Sequence, residues 1–189
     1  MNYYAKVIKL DDNIAKSKNR ALKEALKSIY DHFFLVEDII KVNDDNIYQR
    51  FIETHQKTGI HCLMWANAVP NKRVEFNEDK NIDYWSDFAP CFTYYTREAI
   101  EKVGLFDEEM PNNTWQDVEH AKRIGDVGLS TPFGMFASPK IVFGLEVTDD
   151  RGKWINRLKM DEGLTYWENK GAEDFPIQVK REKPITEMI

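Results

Sequence analysis

Apolar residues fall along the chain in two alternating periods. Residues 3–10 carry Ala5, Val7 and Ile8 ahead of a polar stop at Asp11-Asp12-Asn13, which reads as a strand. Residues 14–30 change to helical spacing, with Leu22, Ala25, Leu26 and Ile29 on one face. The run FFLV at 33–36 is short and continuous, as in a strand buried on both faces of a parallel sheet, and it stops at Glu37-Asp38. A second helical pattern covers 45–56, with Ile47, Phe51 and Ile52 inward, and 60–65 forms another apolar run. This alternation of strand and helix predicts an α/β architecture.

The periodicity lapses over residues 67–90, which carry two prolines and many polar groups and read as a long loop. Residues 92–95 resume as a strand. Thr96 then caps a short helix that stops at Gly104, a residue suited to a left-handed helix end. Thr114 opens a helix that runs to about Asp126, and 133–143 reads as extended. Residues 150–169 are expected to form a terminal helix and 171–189 an irregular tail. The expectation is one domain over 1–189, with 150–189 as its carboxy-terminal helix and tail.

Composition narrows the function classes. Of 189 residues, 42% are hydrophobic and 31% charged, as in ordinary globular chains, and 13% aromatic content argues against disorder. A net charge of −6 removes the basic footprint expected of a nucleic-acid binder. Two cysteines, Cys62 and Cys91, are too few for a disulfide framework or a four-cysteine zinc site. The four histidines, His32, His55, His61 and His120, show no zinc-ligand spacing. No apolar run approaches the ~18 residues of a membrane span, and the first residues lack the apolar core of a signal peptide. A cytoplasmic setting is the expectation. No phosphate-binding glycine loop and no Gly-x-Ser-x-Gly occurs.

Three segments hold the candidate chemistry: IAKSKNRALKEAL at 14–26, FFLVED at 33–38, and CFTYYTREAIEKVGLFDEEMPNNTWQDVEHAKRIGDVGL at 91–129. Together, in this order and spacing, they resemble the family 2 glycosyltransferases of the GT-A fold. The matching residues are Arg97, Gly104-Leu105-Phe106-Asp107-Glu108, Gln116-Asp117, Arg123 and Gly128, with Lys16, Lys18 and Asn19 on the first helix. The resemblance covers about residues 5–145. It implies a GT-A-like, Rossmann-like mixed sheet, mostly parallel and flanked by helices. It also implies inverting transfer of a hexose from a nucleotide-diphosphate donor to an acceptor hydroxyl.

The same resemblance assigns roles. Asp117 takes the position of the catalytic base, the carboxylate that accepts the acceptor hydroxyl's proton as its oxygen attacks the anomeric carbon. Lys16, Lys18, Asn19, Glu37 and Asp38 fall on the donor side, and Glu37 and Asp38 would hold Mn²⁺ or Mg²⁺ against the diphosphate leaving group. Arg97 is placed on the acceptor side. Trp85 and Trp115 join it there, because an indole offers a large apolar face to a sugar ring. Asp117 has a second local reading, since Thr114-x-x-Asp117 fits a capping box.

Several positions depart from the family pattern. Ile39 replaces a second acid, and an extended chain then sends Glu37 and Asp38 to opposite sides. Gln116 replaces an acid beside Asp117, Cys91 stands where glycine is frequent, and no glycine follows Asn13. The family's first βαβ unit, about 30 residues or more, has no visible motif. The chain therefore reads as truncated at the amino end, with an uncovered sheet edge that a homo-oligomer could bury. These departures keep an alternative open, a non-catalytic glycosyltransferase-like binding or interaction protein with a degenerate donor and metal site.

Overall fold

The computed structural model describes residues 7, 13–44, 46–65, 73–77, 82–85, 89–111, 115–131, 136–139 and 145–147. Among them are four helices, α1 (Ile14–Leu26), α2 (Asn46–Thr58), α3 (Arg97–Val103) and α4 (Gln116–Asp126). The eight strands are β1 (His32–Val36), β2 (Ile40–Val42), β3 (Cys62–Trp65), β4 (Arg73–Asn77), β5 (Ile82–Trp85), β6 (Ala89–Thr96), β7 (Phe136–Pro139) and β8 (Leu145–Val147). Apart from residue 7, which is exposed, the expected strand at 3–10 lies outside the described residues, as do the helix at 150–169 and the tail.

The central sheet has the order β1-β6-β3. β6 is antiparallel to both neighbours, with His32 opposite Thr96 and Cys62 opposite Tyr95. Smaller antiparallel sheets are β2-β8 and β4-β5-β7. The expected mostly parallel sheet is therefore corrected: every ladder among the described residues is antiparallel. The reason is topological. β1 and β3 do run the same way, joined through α2, but the later strand β6 fills the slot between them in the opposite direction.

Alternate side chains of this sheet feed two cores, as the period of two requires. Phe33, Cys62, Met64 and Tyr95 pack with Ala15 and Leu22 of α1, Ala99 and Ile100 of α3, and Val118 and Ile124 of α4. Leu63, Trp65, Phe92 and Tyr94 pack with Ile47, Phe51 and Ile52 of α2. The sheet is thus the middle layer, with helices on both faces, and mixed α/β is the observed class.

Two further expectations are corrected. β1 is not buried on both faces: Phe33 is buried, Phe34 and Leu35 are half-buried, and Val36 is exposed. Its only described neighbour is β6, so one side of the strand lacks cover from the described sheet. The 67–90 loop contains β4 and β5. All four residues of β5 are buried, with β4 and β7 as neighbours. A four-residue strand containing Asp83 is too short to show a period by itself.

Helix ends follow local chemistry. Asn13 caps α1 by accepting from Lys16 N at 2.9 Å. α1 stops at Leu26 instead of near 30, because Arg97 gathers the carbonyls of Leu26, Ser28 and Tyr30 at 2.6–3.1 Å. α3 begins at its Thr96 cap and stops at Gly104, where φ is +80°. α4 ends in a Schellman pair, Leu129 N to Ile124 O at 3.0 Å and Gly128 N to Gly125 O at 2.9 Å.

Candidate functional site

The site grows from one face of α1. Ala15, Lys18, Asn19 and Leu22 are three, four and seven residues apart and turn inward together, while Lys16 stays exposed. Lys18 therefore leaves the solvated helix face that an isolated lysine would occupy. Its ammonium lies 2.6 and 2.7 Å from the two carboxylate oxygens of Asp117, with side-chain exposures of only 10% and 11%. It also sits 5.4 Å from the centroid of the Phe106 ring.

Asn19, the next residue, binds the turn between α3 and α4. Its amide donates to Phe106 O at 2.9 Å and to Glu108 Oε1 at 2.8 Å, and accepts from Phe106 N at 2.8 Å. Asn13 donates to Glu108 O at 3.2 Å. From the other side, His120 Nε2 donates to Gly104 O at 3.0 Å. Arg123 donates to Val103 O at 2.5 Å and Leu105 O at 2.7 Å, and its own charge is paired with Glu119 at 2.6 Å. The Gly104–Glu108 segment is thus held at nearly every residue, which explains why so many polar groups in this stretch serve it.

α4 starts at Gln116 with Trp115 at its cap position, and Trp115 makes no side-chain cap bond. Asp117 is therefore second in the helix and not third, and both its oxygens face Lys18. The capping-box reading is corrected on that geometry. Gln116 is buried and donates to Pro111 O at 2.7 Å. His120 lies three residues beyond Asp117 on the same buried face, stacked on Phe106 with centroids 4.2 Å apart. Burial holds its imidazole down at about 3, and the Arg123 and Lys18 charges act in the same direction. The i,i+3 spacing was the signal that could have joined His120 to the site.

Glu37 follows β1 directly. Its N–H donates to Cys91 O at 2.9 Å. Burial pushes the Cys91 thiol up to about 12, and the charges of Glu37 and Asp117 add to this while Lys18 opposes it. One buried thiol therefore feels Glu37, Lys18 and Asp117 together. Cys62 is also buried, and its thiol is raised by burial and then by Asp117. Both cysteines pack as small core side chains.

The remaining candidates are placed differently. Ile40 N donates to Glu37 O at 3.0 Å, so the chain bends in a tight turn after β1. Asp38 is exposed on that turn, Glu37 is half-buried, and Ile39 is tucked into the core. Among the described residues no three His, Cys, Asp or Glu side chains could hold a metal ion. Glu37 and Asp38 are adjacent acids on this turn, and an ion held there would draw its other ligands from phosphate and water. Arg97 spends its donors on the carbonyls after α1 and on Glu101 at 3.3 Å. Trp85 is not in a loop but on β5, buried in the core, and its indole N–H has no hydrogen-bond partner among the described residues. Trp115 is half-buried against the same core.

No known protein family, curated protein or solved structure matches the chain. No helix among the described residues is long and apolar enough to cross a membrane.

Proposed function

We propose that the chain is a GT-A-like glycosyltransferase, moving a sugar from a nucleotide-diphosphate donor to an acceptor hydroxyl with inversion. The observation that carries the reading is a convergence. Lys18 of α1 and Asp117 of α4 meet in one buried ion pair, Asn19 beside Lys18 holds the turn ahead of α4, and the buried Cys91 thiol is raised by the charges of Glu37 and Asp117 and lowered by that of Lys18. A buried lysine–carboxylate pair is a poor source of stability, so its presence calls for a use.

In this reading Asp117 takes the proton of the acceptor hydroxyl while that oxygen bonds to the anomeric carbon. The bond from that carbon to the diphosphate oxygen breaks, and its electron pair leaves with the nucleotide diphosphate. Lys18 pairs with Asp117 and has the diphosphate as an alternative partner, so donor binding would free the base. Mn²⁺ or Mg²⁺ beside Glu37 and Asp38 would supply positive charge to the leaving group. Trp115, half-buried at the start of α4, would face the acceptor, whereas Trp85 is buried in the core.

A second reading, a non-catalytic binding protein, is favoured by one observation: both oxygens of Asp117 are already taken by Lys18. The test is hydrolysis of UDP- and GDP-sugars with Mn²⁺, alongside calorimetric titration of UDP and GDP. Turnover that Asp117→Asn abolishes, in a protein that still binds nucleotide, supports the enzyme. Nucleotide binding without turnover supports the second reading. Absence of heat at millimolar nucleotide removes the enzyme and leaves the second reading, whose donor site is degenerate.

A further inference from the structure

Three of the four histidines share no helix or strand spacing, yet their rings meet at one corner of the fold. His32 is the first residue of β1, His55 lies in the last turn of α2, and His61 stands just ahead of β3. The His55 and His61 rings are 4.6 Å apart at 72°, and those of His32 and His55 are 6.0 Å apart at 63°. They line an open cleft of about 550 Å³.

Each ring is tied through Nδ1. His55 Nδ1 donates to Ile60 O at 3.0 Å, since a carbonyl can only accept. This bond closes the turn after α2, where Gly59 has φ +71° and its N–H reaches His55 O at 2.8 Å. His32 Nδ1 lies 2.8 Å from the Tyr94 hydroxyl, and His61 Nδ1 lies 2.8 Å from Thr96 Oγ1, the cap of α3. The His61 main chain binds Leu129 O at 2.8 Å and Thr96 N at 3.1 Å. The corner thus joins α2, β1, β3, β6, α3 and the end of α4.

The other charged residues lining the cleft come from two segments. Asp31 precedes β1, and Glu98, Glu101, Arg97 and Lys102 lie on α3. The side chains of Asp31, Glu98 and Glu101 are all largely exposed. Arg97 is spent on carbonyls, and Lys102 donates to Val127 O at 3.3 Å. Tyr94 of β6 stays neutral, its hydroxyl raised by burial.

We propose that His32, His55 and His61 form a proton-responsive latch, closed on the α2–β3 turn while the rings are neutral and released in acid. Protonation makes every ring nitrogen a donor, so a hydroxyl donating to Nδ1, from Tyr94 or Thr96, has to turn over. A second positive ring at 4.6–6.0 Å from the first is repelled. Burial lowers His32 and His61, with a positive His55 lowering both further, while Asp31 and Glu98 push back. A histidine lowered in the folded state binds its proton more readily once released, so acid favours the open turn.

The test is amide exchange at Gly59, Ile60 and His61, with imidazole titration followed by NMR. Asparagine keeps a donor near Nδ1, so His55→Asn preserves the bond to Ile60. Protection corrected for intrinsic exchange should fall about tenfold or more between about pH 7.5 and about pH 5, tracking the imidazole titration. His55→Asn should move the midpoints of His32 and His61 upward. The triple variant H32N/H55N/H61N should keep its protection in acid. Unmoved midpoints in His55→Asn overturn the proposal. So does wild-type protection that does not follow the imidazoles, a readout that stands even where the triple variant fails to fold.

Discussion

Asn19 and Phe106 exchange two hydrogen bonds: the Asn19 amide accepts from Phe106 N at 2.8 Å and donates to Phe106 O at 2.9 Å. A side chain here takes the place of a strand partner for an isolated stretch of main chain. Asn19→Ala leaves both backbone groups of Phe106 buried and unpaired. The expected loss is about 2–4 kcal/mol in urea denaturation. Asn19→Asp keeps the acceptor but removes the donor, so it should also destabilise. If either variant matches wild type, the turn is held by its other partners alone.

The Lys18–Asp117 pair predicts a non-additive pattern. Both groups are close to nine-tenths buried, so removing either strands a charge. Lys18→Met or Asp117→Leu alone should cost about 3–5 kcal/mol, whereas the double variant should recover most of that loss. Urea denaturation of the four proteins closes the cycle. Additive losses would mean that the two charges do not depend on each other. The double variant should remain folded and inactive, which separates the pair's role in stability from its proposed role in transfer.

Local chemistry was legible in the sequence, and long-range pairing was not. The limits of α3 follow from Thr96 and Gly104, because capping and a positive φ are decided within a few residues. Asn13 and Ile14 likewise mark the start of α1. Lys18 was harder, since one lysine on a helix normally faces water and its partner lies 99 positions away. The cluster of His32, His55 and His61 has no sequence spacing at all and is assembled only when β1, α2 and β3 pack. Sheet direction failed for a related reason. The βαβ-like order of β1, α2 and β3 does not reveal that β6 will enter between its strands.

His120 predicts an acid-sensitive fold. Its imidazole is fully buried and held at about 3 against an ordinary 6.5. Between those values the unfolded chain binds a proton that the folded chain does not. The stabilising contribution is therefore complete above about pH 6.5, declines as pH falls, and levels off below about pH 3. The slope is up to about 1.4 kcal/mol per pH unit for one proton. His120→Phe keeps a ring on Phe106 but removes the titration and the bond to Gly104 O. It should be less stable at neutral pH, with a shallower fall between about pH 6 and about pH 4. Equal slopes in denaturant-derived stability against pH would show that His120 is not the sensitive group.

Gly125 and Gly128 predict opposite responses to small side chains. Gly125 sits inside α4, where alanine normally gains about 1 kcal/mol over glycine. A Cβ there would stand 2.7 Å from the carbonyl oxygen of Thr131, and a main-chain atom fixed beside the core cannot swing away. Gly125→Ala should therefore lose about 1–3 kcal/mol, and Gly125→Asn more, because added volume worsens the same contact. Gly128 has open space around its Cβ direction but a φ of +77°. Gly128→Ala should lose about 1–2 kcal/mol through backbone strain, with Gly128→Asn milder because asparagine tolerates the left-handed region. Thermal melts of the four variants check the inverted order, asparagine worse than alanine at 125 and better at 128. The same order at both sites would mean that one of the two causes is misassigned.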